Sequence, residues 1–305
     1  MDRPNSVSDF AFPSRWDSDS APSVIERAGR LPGDDGTRTQ PDREKRSHSG
    51  ASRGHDRSRT IYRGRDREHS LRDSEVRTLA DVGKFRVVPT EDLTRFGYQG
   101  DQAHTEADIR NLRKHGLVEQ RTIEGHSSYS TRVLTLTKEG HRLIRRAQFV
   151  SSQQATYYGF ARPKEARHDA ELYRLYHKVA GEIELSGGKV RRVILDLELK
   201  KDLYQAFARM RRDRDPAYER ISIASRFDLR VVNDKIPIPD LRIEYEDQCL
   251  DVHRLDLEVA TRDYRPQGIG EKAKAGFHVF ARPQDHDKLR RVLDSQEITA
   301  RIFAL

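Results

Sequence analysis

The spacing of apolar residues divides the chain into a long polar start and a folded remainder. Residues 1–68 have no apolar periodicity, and the stretch 53–59 offers no apolar surface to bury. Such a segment cannot offset the entropy lost on ordering, so we predict a disordered tail over 1–68. Its Arg-rich end, residues 53–67, is either a loose phosphate-binding segment or a solvated linker. We favour the linker because acidic residues dilute the positive charge.

From Leu71 onward the apolar positions recur first with helical spacing and then in alternation. The first helix should end at Gly83, and two more should follow up to about His115. Alternating residues then predict strands over 118–122 and 131–136, before a closing helix that ends near residue 146. Three helices, a two-stranded hairpin and another helix form a winged helix-turn-helix, which we predict over 69–147. Residues 108–118, Asp-Ile-Arg-Asn-Leu-Arg-Lys-His-Gly-Leu-Val, resemble the recognition helix and first wing strand of winged-helix DNA-binding proteins.

A winged helix presents its third helix to the DNA major groove, while the wing touches phosphates or the minor groove. The polar face of the third predicted helix and the predicted wing therefore supply the candidate contacts. The predicted DNA-binding residues are Gln102, Arg110, Arg113, Lys114, Arg121, His126 and Arg132. The alternative is a protein–protein module whose charged face is only solvated. We favour DNA binding because several cations share the predicted recognition helix.

The second half of the chain alternates helical and strand patterns after an aromatic connector, predicted over 148–166. We predict a separate α/β domain with a mixed sheet over 167–305, so the whole chain is α+β. Its predicted helices span 167–185, 199–210, 270–280 and 286–293. Its predicted strands span 190–197, 229–232, 240–246, 254–260 and 299–305.

Two short motifs in this half suggest phosphodiester chemistry. Pro239-Asp240 opens one predicted strand, and Glu258-Val259-Ala260 lies on the next. Together they resemble the Pro-Asp…(Asp/Glu)-x-Lys signature of the restriction-endonuclease-like fold. That resemblance implies a Mg²⁺ ion held by Asp240 and Glu258, with Glu182 or Glu184 as the acidic residue of the first helix. The lysine of the signature, which orients or activates water, is replaced here by Ala260.

The replacement leaves three interpretations open. Lys272 or Lys274 on the following helix could reach back to the carboxylates and restore an active nuclease. The fold could instead be kept for binding after cleavage was lost, which is the interpretation we favour. In an unrelated α/β domain, Asp240 would only start a strand, and Glu258 would pair with an arginine such as Arg254 or Arg262.

Composition narrows the class of protein further. The 305 residues carry 57 Lys and Arg against 49 Asp and Glu, a net charge of +8 that favours polyanionic partners. No apolar run is long enough to span a membrane, and no secretory signal is visible, so we expect a cytoplasmic protein without membrane partners. Cys249 is the single cysteine and has no partner for a disulfide or a cysteine metal site.

The order of these elements carries a resemblance to one family. A winged helix is followed by Arg167-His168-Asp169 at the start of a long helix, then by Pro239-Asp240 and Leu257-Glu258-Val259. This order, over roughly residues 71–295, resembles the replication-relaxation family of plasmids and integrative elements. The resemblance implies a DNA-binding accessory protein. The partners we expect are double-stranded DNA, replication or conjugative-transfer proteins and a second copy of the chain.

Three functions follow from these patterns. The one we favour is a DNA-binding accessory protein of a bacterial mobile element, without nuclease activity. The second is a Mg²⁺-dependent DNA nuclease that uses Asp240 and Glu258, with Lys272 or Lys274 as the cation; Mg²⁺ is expected as a cofactor in this case alone. The third is a winged-helix transcriptional regulator whose C-terminal domain mediates dimerisation or senses a ligand.

Overall fold

A computed structural model describes residues 58–124, 130–160, 163–210, 215–260, 266–295 and 302–305. The chain divides into two units between Arg57 and Ser58, and every described residue belongs to the second unit. The part of the predicted tail that precedes Ser58 lies outside the described residues. The described residues form a mixed α+β structure.

The N-terminal part begins with a short hairpin and continues through helices α1 to α4 around a three-stranded sheet. Its elements are β1 (Thr60–Arg63), β2 (Glu68–Leu71), α1 (Asp73–Phe85), β3 (Val88–Pro89), α2 (Thr90–Gly97), α3 (Gln102–Lys114), β4 (Val118–Glu124), β5 (Ser130–Leu136) and α4 (Lys138–Arg146). The sheet order is β3-β5-β4, and both pairings are antiparallel. These are the elements that the winged-helix prediction required, in the required order. We call β4 and β5 together the wing hairpin.

The first hairpin corrects the predicted tail. Residues 60–68 were expected to be disordered, but β1 pairs antiparallel with β2 from Thr60 opposite Leu71 to Arg63 opposite Glu68. Leu71 is fully buried, and the ring of Tyr62 packs edge-on against Phe149 at 4.8 Å between centroids. The order therefore comes from packing against the following domain, which the local composition does not reveal.

The first helix also runs further than predicted, because Gly83 lies inside it. α1 ends at Phe85, and a Cβ at Gly83 would lie 2.6 Å from the Ile144 side chain of α4. Gly140 permits a second close approach, because a Cβ there would lie 2.1 Å from the carbonyl oxygen of Leu117. Gly83 thus permits close packing of α1 and α4, and Gly140 permits α4 to approach the backbone between α3 and β4.

The C-terminal part is a five-stranded mixed sheet with helices. Its elements are α5 (Pro163–Leu185), β6 (Lys189–Leu195), α6 (Asp196–Ala208), α7 (Pro216–Arg226), β7 (Leu241–Glu246), β8 (Val252–Ala260), α8 (Pro266–Lys274), β9 (His278–Ala281), α9 (Pro283–Ser295) and β10 (Ile302–Ala304). The strand order is β10-β9-β8-β7-β6. β6, β7 and β8 pair antiparallel, whereas β8, β9 and β10 pair parallel, so the predicted mixed sheet is confirmed.

Several predicted boundaries in this part are wrong. The expected strand over 229–232 is absent from the described residues, where an isolated bridge joins Val232 to Lys235. The expected helix over 270–280 ends at Lys274, and Gly276, with a φ of 91°, separates it from β9. The long helix starts at Pro163, so it takes in the end of the predicted connector.

The two parts pack against each other through α5. Arg174 of α5 donates two hydrogen bonds to the buried carboxylate of Asp92, at 3.1 and 2.8 Å. The ring of Tyr173 lies between Phe85 and Phe96, with centroid distances of 5.2 and 6.3 Å. The buried side chains of Asp92 and Tyr173 thus fix the N-terminal part against the helix that starts the C-terminal part.

Candidate functional site

Helix α3 has a capped N-terminus and one buried face. The side chain of Asp101 caps it by accepting a hydrogen bond from the backbone N–H of His104 at 3.0 Å. One face, which includes Ile109 and Leu112, is buried against the rest of the N-terminal part. The helix therefore has a defined outer face.

A buried carboxylate ties α3 to α1. Asp108 is fully buried and accepts hydrogen bonds from Arg72 at 2.8 Å, Ser74 at 2.5 Å and Tyr98 at 3.1 Å. Thr78 in turn lies 2.7 Å from the Tyr98 hydroxyl. Each polar atom in this network has a partner, which offsets the cost of burying the charge.

The outer face of α3 combines small and positively charged side chains. Its exposed members are Gln102, Ala103, Ala107, Arg110, Arg113 and Lys114. Arg113 donates a hydrogen bond to Gln120 at 3.2 Å, and Gln102 donates one to Glu106 at the same distance. Within the described part of the chain, Arg110 and Lys114 have no ion-pair partner. We call these six residues the α3 face.

The predicted contacts on the wing hairpin already have partners within the chain. Arg121 lies 3.6 Å from Glu119 and sits over the Phe160 ring at 4.2 Å. Arg132 lies 3.5 Å from Glu106 of α3. These ion pairs are exposed and weak, so both arginines remain able to exchange a carboxylate for a phosphate. The predicted contact His126 lies outside the described residues.

Asp240 and Glu258 come together because β7 and β8 are neighbours in the sheet. Leu241 pairs with Leu257, so the residues before and after them lie side by side. The backbone N–H of Asp240 donates to Glu258 Oε2 at 3.3 Å, and the backbone N–H of Val259 donates to Asp240 Oδ2 at 3.0 Å. Glu258 is fully buried, and the Asp240 side chain is 15% exposed. The two carboxylates thus lie side by side where β7 begins and β8 ends.

Lys272 of α8 supplies a cation to this pair. Its ammonium lies 2.7 Å from Glu258 Oε2 and donates to the carbonyl oxygen of Ile238 at 2.5 Å. Lys274, the other lysine considered, is exposed. Ala260 is buried in an apolar cluster with Ile269, which explains why that position does not carry a lysine.

His168 of α5 completes the group, and no sequence pattern pointed to this role. Its Nε2 lies 3.3 Å from Asp240 Oδ1. Glu182, proposed above as a metal ligand, lies near the other end of α5, about 21 Å from His168 at 1.5 Å per residue. The structure therefore does not bring Glu182 to the carboxylates, and Glu184 is further still. We call His168, Asp240, Glu258 and Lys272 the Asp240 cluster.

The pKa values of Asp240 and His168 are shifted in opposite directions. Burial works to raise the pKa of Asp240, but the hydrogen bond and charge of His168, together with Lys272, hold that pKa below its usual value. Burial works to lower the pKa of His168, but the hydrogen bond and charge of Asp240 raise that pKa above its usual value. Both shifts favour an imidazolium–carboxylate ion pair.

A neighbouring carboxylate connects the cluster to the N-terminal part. Asp169 lies 2.8 Å from the Nε of Arg86, the residue that follows α1. Burial raises the pKa of Asp169 to about 6, although the Arg86 charge opposes this shift. Adjacent residues of α5 thus contact Asp240 on one side and the N-terminal part on the other.

Asp240 and Glu258 are the two residues of the cluster whose oxygen atoms could bind a hard cation. Proteins usually bind Mg²⁺ through one or two carboxylates together with phosphate oxygens of the substrate, and Asp240 and Glu258 are two such carboxylates. Across the described ranges, no group of three or more His, Cys, Asp or Glu side chains is arranged to hold a metal ion.

Among the described helices, none combines the length and apolar character needed to cross a bilayer.

Comparison with known proteins assigns this chain to no family. No known protein family matches it, and no curated protein matches it. Among solved structures, it is similar to Bacillus subtilis PadR in complex with operator DNA. That similarity has a TM-score of 0.23 and 10% sequence identity, and covers 51% of this chain and 89% of the PadR chain. At this score the similarity does not establish a common fold.

Proposed function

We propose that this chain binds double-stranded DNA through the α3 face, as a DNA-binding accessory protein of a bacterial mobile element. The observation that carries the proposal is the exposure of Arg110, Arg113 and Lys114 on one side of a helix whose other side is anchored. The major groove of B-DNA is about 12 Å wide and admits one helix. Ala103 and Ala107 on the same face have short side chains, which let the helix approach the base edges closely.

The arginines of the α3 face and the wing hairpin have different expected roles. Arg110 and Arg113 can form paired hydrogen bonds to guanine, so we assign sequence preference to them. Lys114, Arg121 and Arg132 would contact phosphates and fix the orientation of the protein. The order of elements that resembles the replication-relaxation family supports the mobile-element setting.

A salt titration of DNA affinity tests the binding role. The purified full chain is titrated against a labelled duplex at several salt concentrations, and the logarithm of affinity is plotted against the logarithm of salt. The variant Arg113→Ala/Lys114→Ala should bind more weakly, with a slope that is smaller by about 0.9 units because Lys114 is the one of the two assigned to a phosphate. Arg77→Ala, which removes an exposed cation from α1, is the matched control. Equal slopes in all three proteins would contradict the assignment of the α3 face.

A second candidate function is cleavage of a phosphodiester bond, and the contact between Lys272 and Glu258 favours it. This contact puts a cation beside the two carboxylates, where Ala260 cannot. Asp240 and Glu258 would hold Mg²⁺, which would stabilise negative charge on a scissile phosphate. Lys272 would orient the Glu258 carboxylate through its contact with Oε2, while His168 would orient the Asp240 carboxylate.

A plasmid assay separates the two functions. Supercoiled plasmid is incubated with the full chain, with and without Mg²⁺ or Mn²⁺, and topology and mobility shift are followed on one gel. Metal-dependent nicking that disappears in Glu258→Gln and Lys272→Met, but survives in Lys274→Met, would support cleavage. A mobility shift with intact plasmid under all conditions would exclude the nuclease and leave DNA binding as the function.

A further inference from the structure

The first turns of α5 lie between the wing hairpin and the Asp240 cluster. Arg167 donates a hydrogen bond to the carbonyl oxygen of Glu124, the last residue of β4. The preceding residue, Ala166, packs in an apolar cluster with Ile123 and Val133 of the wing hairpin. The following residue, His168, contacts Asp240. Consecutive residues of one helix therefore contact the wing and the cluster.

This arrangement limits the distance between the two sites. The side chains of Arg167 and His168 start from backbone positions only 3.8 Å apart. Their combined reach places the carbonyl oxygen of Glu124 within about 20 Å of the Asp240 carboxylate. One turn of B-DNA is about 34 Å long. A duplex that touches the distal end of the wing hairpin thus needs less than one turn to reach the cluster.

Positive and aromatic side chains border the cluster at the start of α6. The backbone N–H of Asp196 donates to the carbonyl oxygen of Asp240 at 3.2 Å, so α6 begins beside the cluster. Lys200, one turn later, lies 2.5 Å from the Asp196 carboxylate. Burial opposes the shift, but the carboxylates of Asp196 and Asp240 raise the pKa of Lys200 and keep it charged. Tyr204, one turn further, is 69% exposed.

We infer that the wing hairpin and the Asp240 cluster contact one continuous DNA duplex, whose phosphates reach Lys200 and Arg167. The inference rests on the proposed DNA binding and extends it, because it assigns a second contact surface on the C-terminal part. A carboxylate pair alone would repel DNA. Arg167 and Lys200 border the pair, and each could exchange its present acceptor, the Glu124 carbonyl oxygen and the Asp196 carboxylate, for a DNA phosphate.

Two measurements with the full chain test the inference. The first is the salt slope of Lys200→Gln, which should be smaller than that of the unaltered chain by about 0.9 units. Lys189→Gln is the matched control, because Lys189 is an exposed lysine at the other end of β6, about 20 Å from Leu195. A slope for Lys200→Gln equal to that of the control would overturn the assignment of Lys200.

The second measurement asks whether one duplex occupies both sites. A photocrosslinker is attached at Tyr204→Cys in a Cys249→Ser background and exposed to a duplex of 14 base pairs, about 48 Å long. We expect one duplex per chain by native mass spectrometry, a crosslink to that duplex, and loss of the crosslink when Arg113→Ala/Lys114→Ala is added. The same probe at Lys189→Cys should not crosslink.

The outcomes distinguish failure of the inference from failure of the proposed function. If the unaltered chain does not bind the duplex at all, the proposed DNA binding is wrong. If it binds, but the probe at position 204 gives no crosslink or two duplexes bind per chain, DNA binding stands and the continuous path is overturned.

Discussion

The ammonium of Lys272 lies 2.7 Å from Glu258 Oε2, although the two residues are 14 positions apart and belong to a helix and a strand. Glu258 is fully buried, and Lys272 is a cation in direct contact with it. Removing one member of a buried ion pair leaves the other charge uncompensated, at a cost of about 3 kcal/mol or more.

Lys272→Met should therefore lower the free energy of unfolding at neutral pH by about 3 kcal/mol. Adding Glu258→Gln to this variant should recover much of the loss, because the buried charge is then removed as well. Urea denaturation measures both changes. Lys274→Met, an exposed neighbour on α8, should stay within about 0.5 kcal/mol of the unaltered chain. A similar loss in both lysine variants would mean that the ion pair is not its source.

The ion pair of His168 and Asp240 predicts a pH window of added stability. The pKa of His168 is raised, so its contribution is complete below about pH 6.5 and is lost as pH rises through the raised value. The pKa of Asp240 is lowered, so its contribution is present above about pH 4 and is lost as pH falls through the lowered value. The pair should stabilise the fold most between these limits.

Comparison of His168→Gln with its parent across pH tests this window. The stability difference should be largest between about pH 4 and 6.5 and should shrink toward pH 9. Asp169 also titrates near pH 6 and lies beside His168, so both proteins should carry Asp169→Asn. A stability difference that does not change with pH would show that His168 acts through packing alone.

The sequence predicts those parts of the site that depend on neighbouring strands. Asp240 and Glu258 were paired correctly because two alternating segments separated by a polar turn form a hairpin. The contact of His168 with Asp240 depends on how a helix packs on the sheet, and no spacing rule reports that. Ala260 illustrates the same limit, because its apolar surroundings come from α8 and α9.

The errors in secondary structure have similar physical causes. The apolar run 277–281 fits a buried strand as well as a helix, and periodicity cannot separate the two at this length. The structure resolves the ambiguity through pairing, since β9 lies parallel to β8. The hairpin β1–β2 escaped prediction because it is stabilised by packing against the following domain, where Tyr62 meets Phe149.

The buried carboxylate of Asp108 predicts a further effect on stability and DNA binding. Asp108→Ala would leave Arg72, Ser74 and Tyr98 without their acceptor, so we expect a loss of about 3 kcal/mol in the free energy of unfolding. Affinity for DNA should fall as well, because α3 loses one of its ties to α1. Denaturation and a binding titration measure the two effects.

Glu106→Ala, half a turn from Asp108 on α3, serves as the control variant. Glu106 is only partly buried and forms exposed contacts with Gln102 and Arg132. Glu106→Ala should therefore change stability by less than about 1 kcal/mol. If this variant loses as much stability as Asp108→Ala, the Asp108 network is not what anchors α3.

The packing of Tyr173 predicts that the two parts unfold together. Its side chain is fully buried on α5 and touches Phe85 and Phe96 of the N-terminal part. Tyr173→Ala should lower the free energy of unfolding by about 3 kcal/mol or more, because it opens a large cavity between the parts. Hydrogen exchange in increasing denaturant should show α1 and β8 losing protection at one shared midpoint, and this midpoint should fall for both elements in the variant. If only one element responded to Tyr173→Ala, or if the two midpoints differed in the unaltered chain, the parts would be independent folding units. The ion pair of Asp92 and Arg174 would then not suffice to couple them.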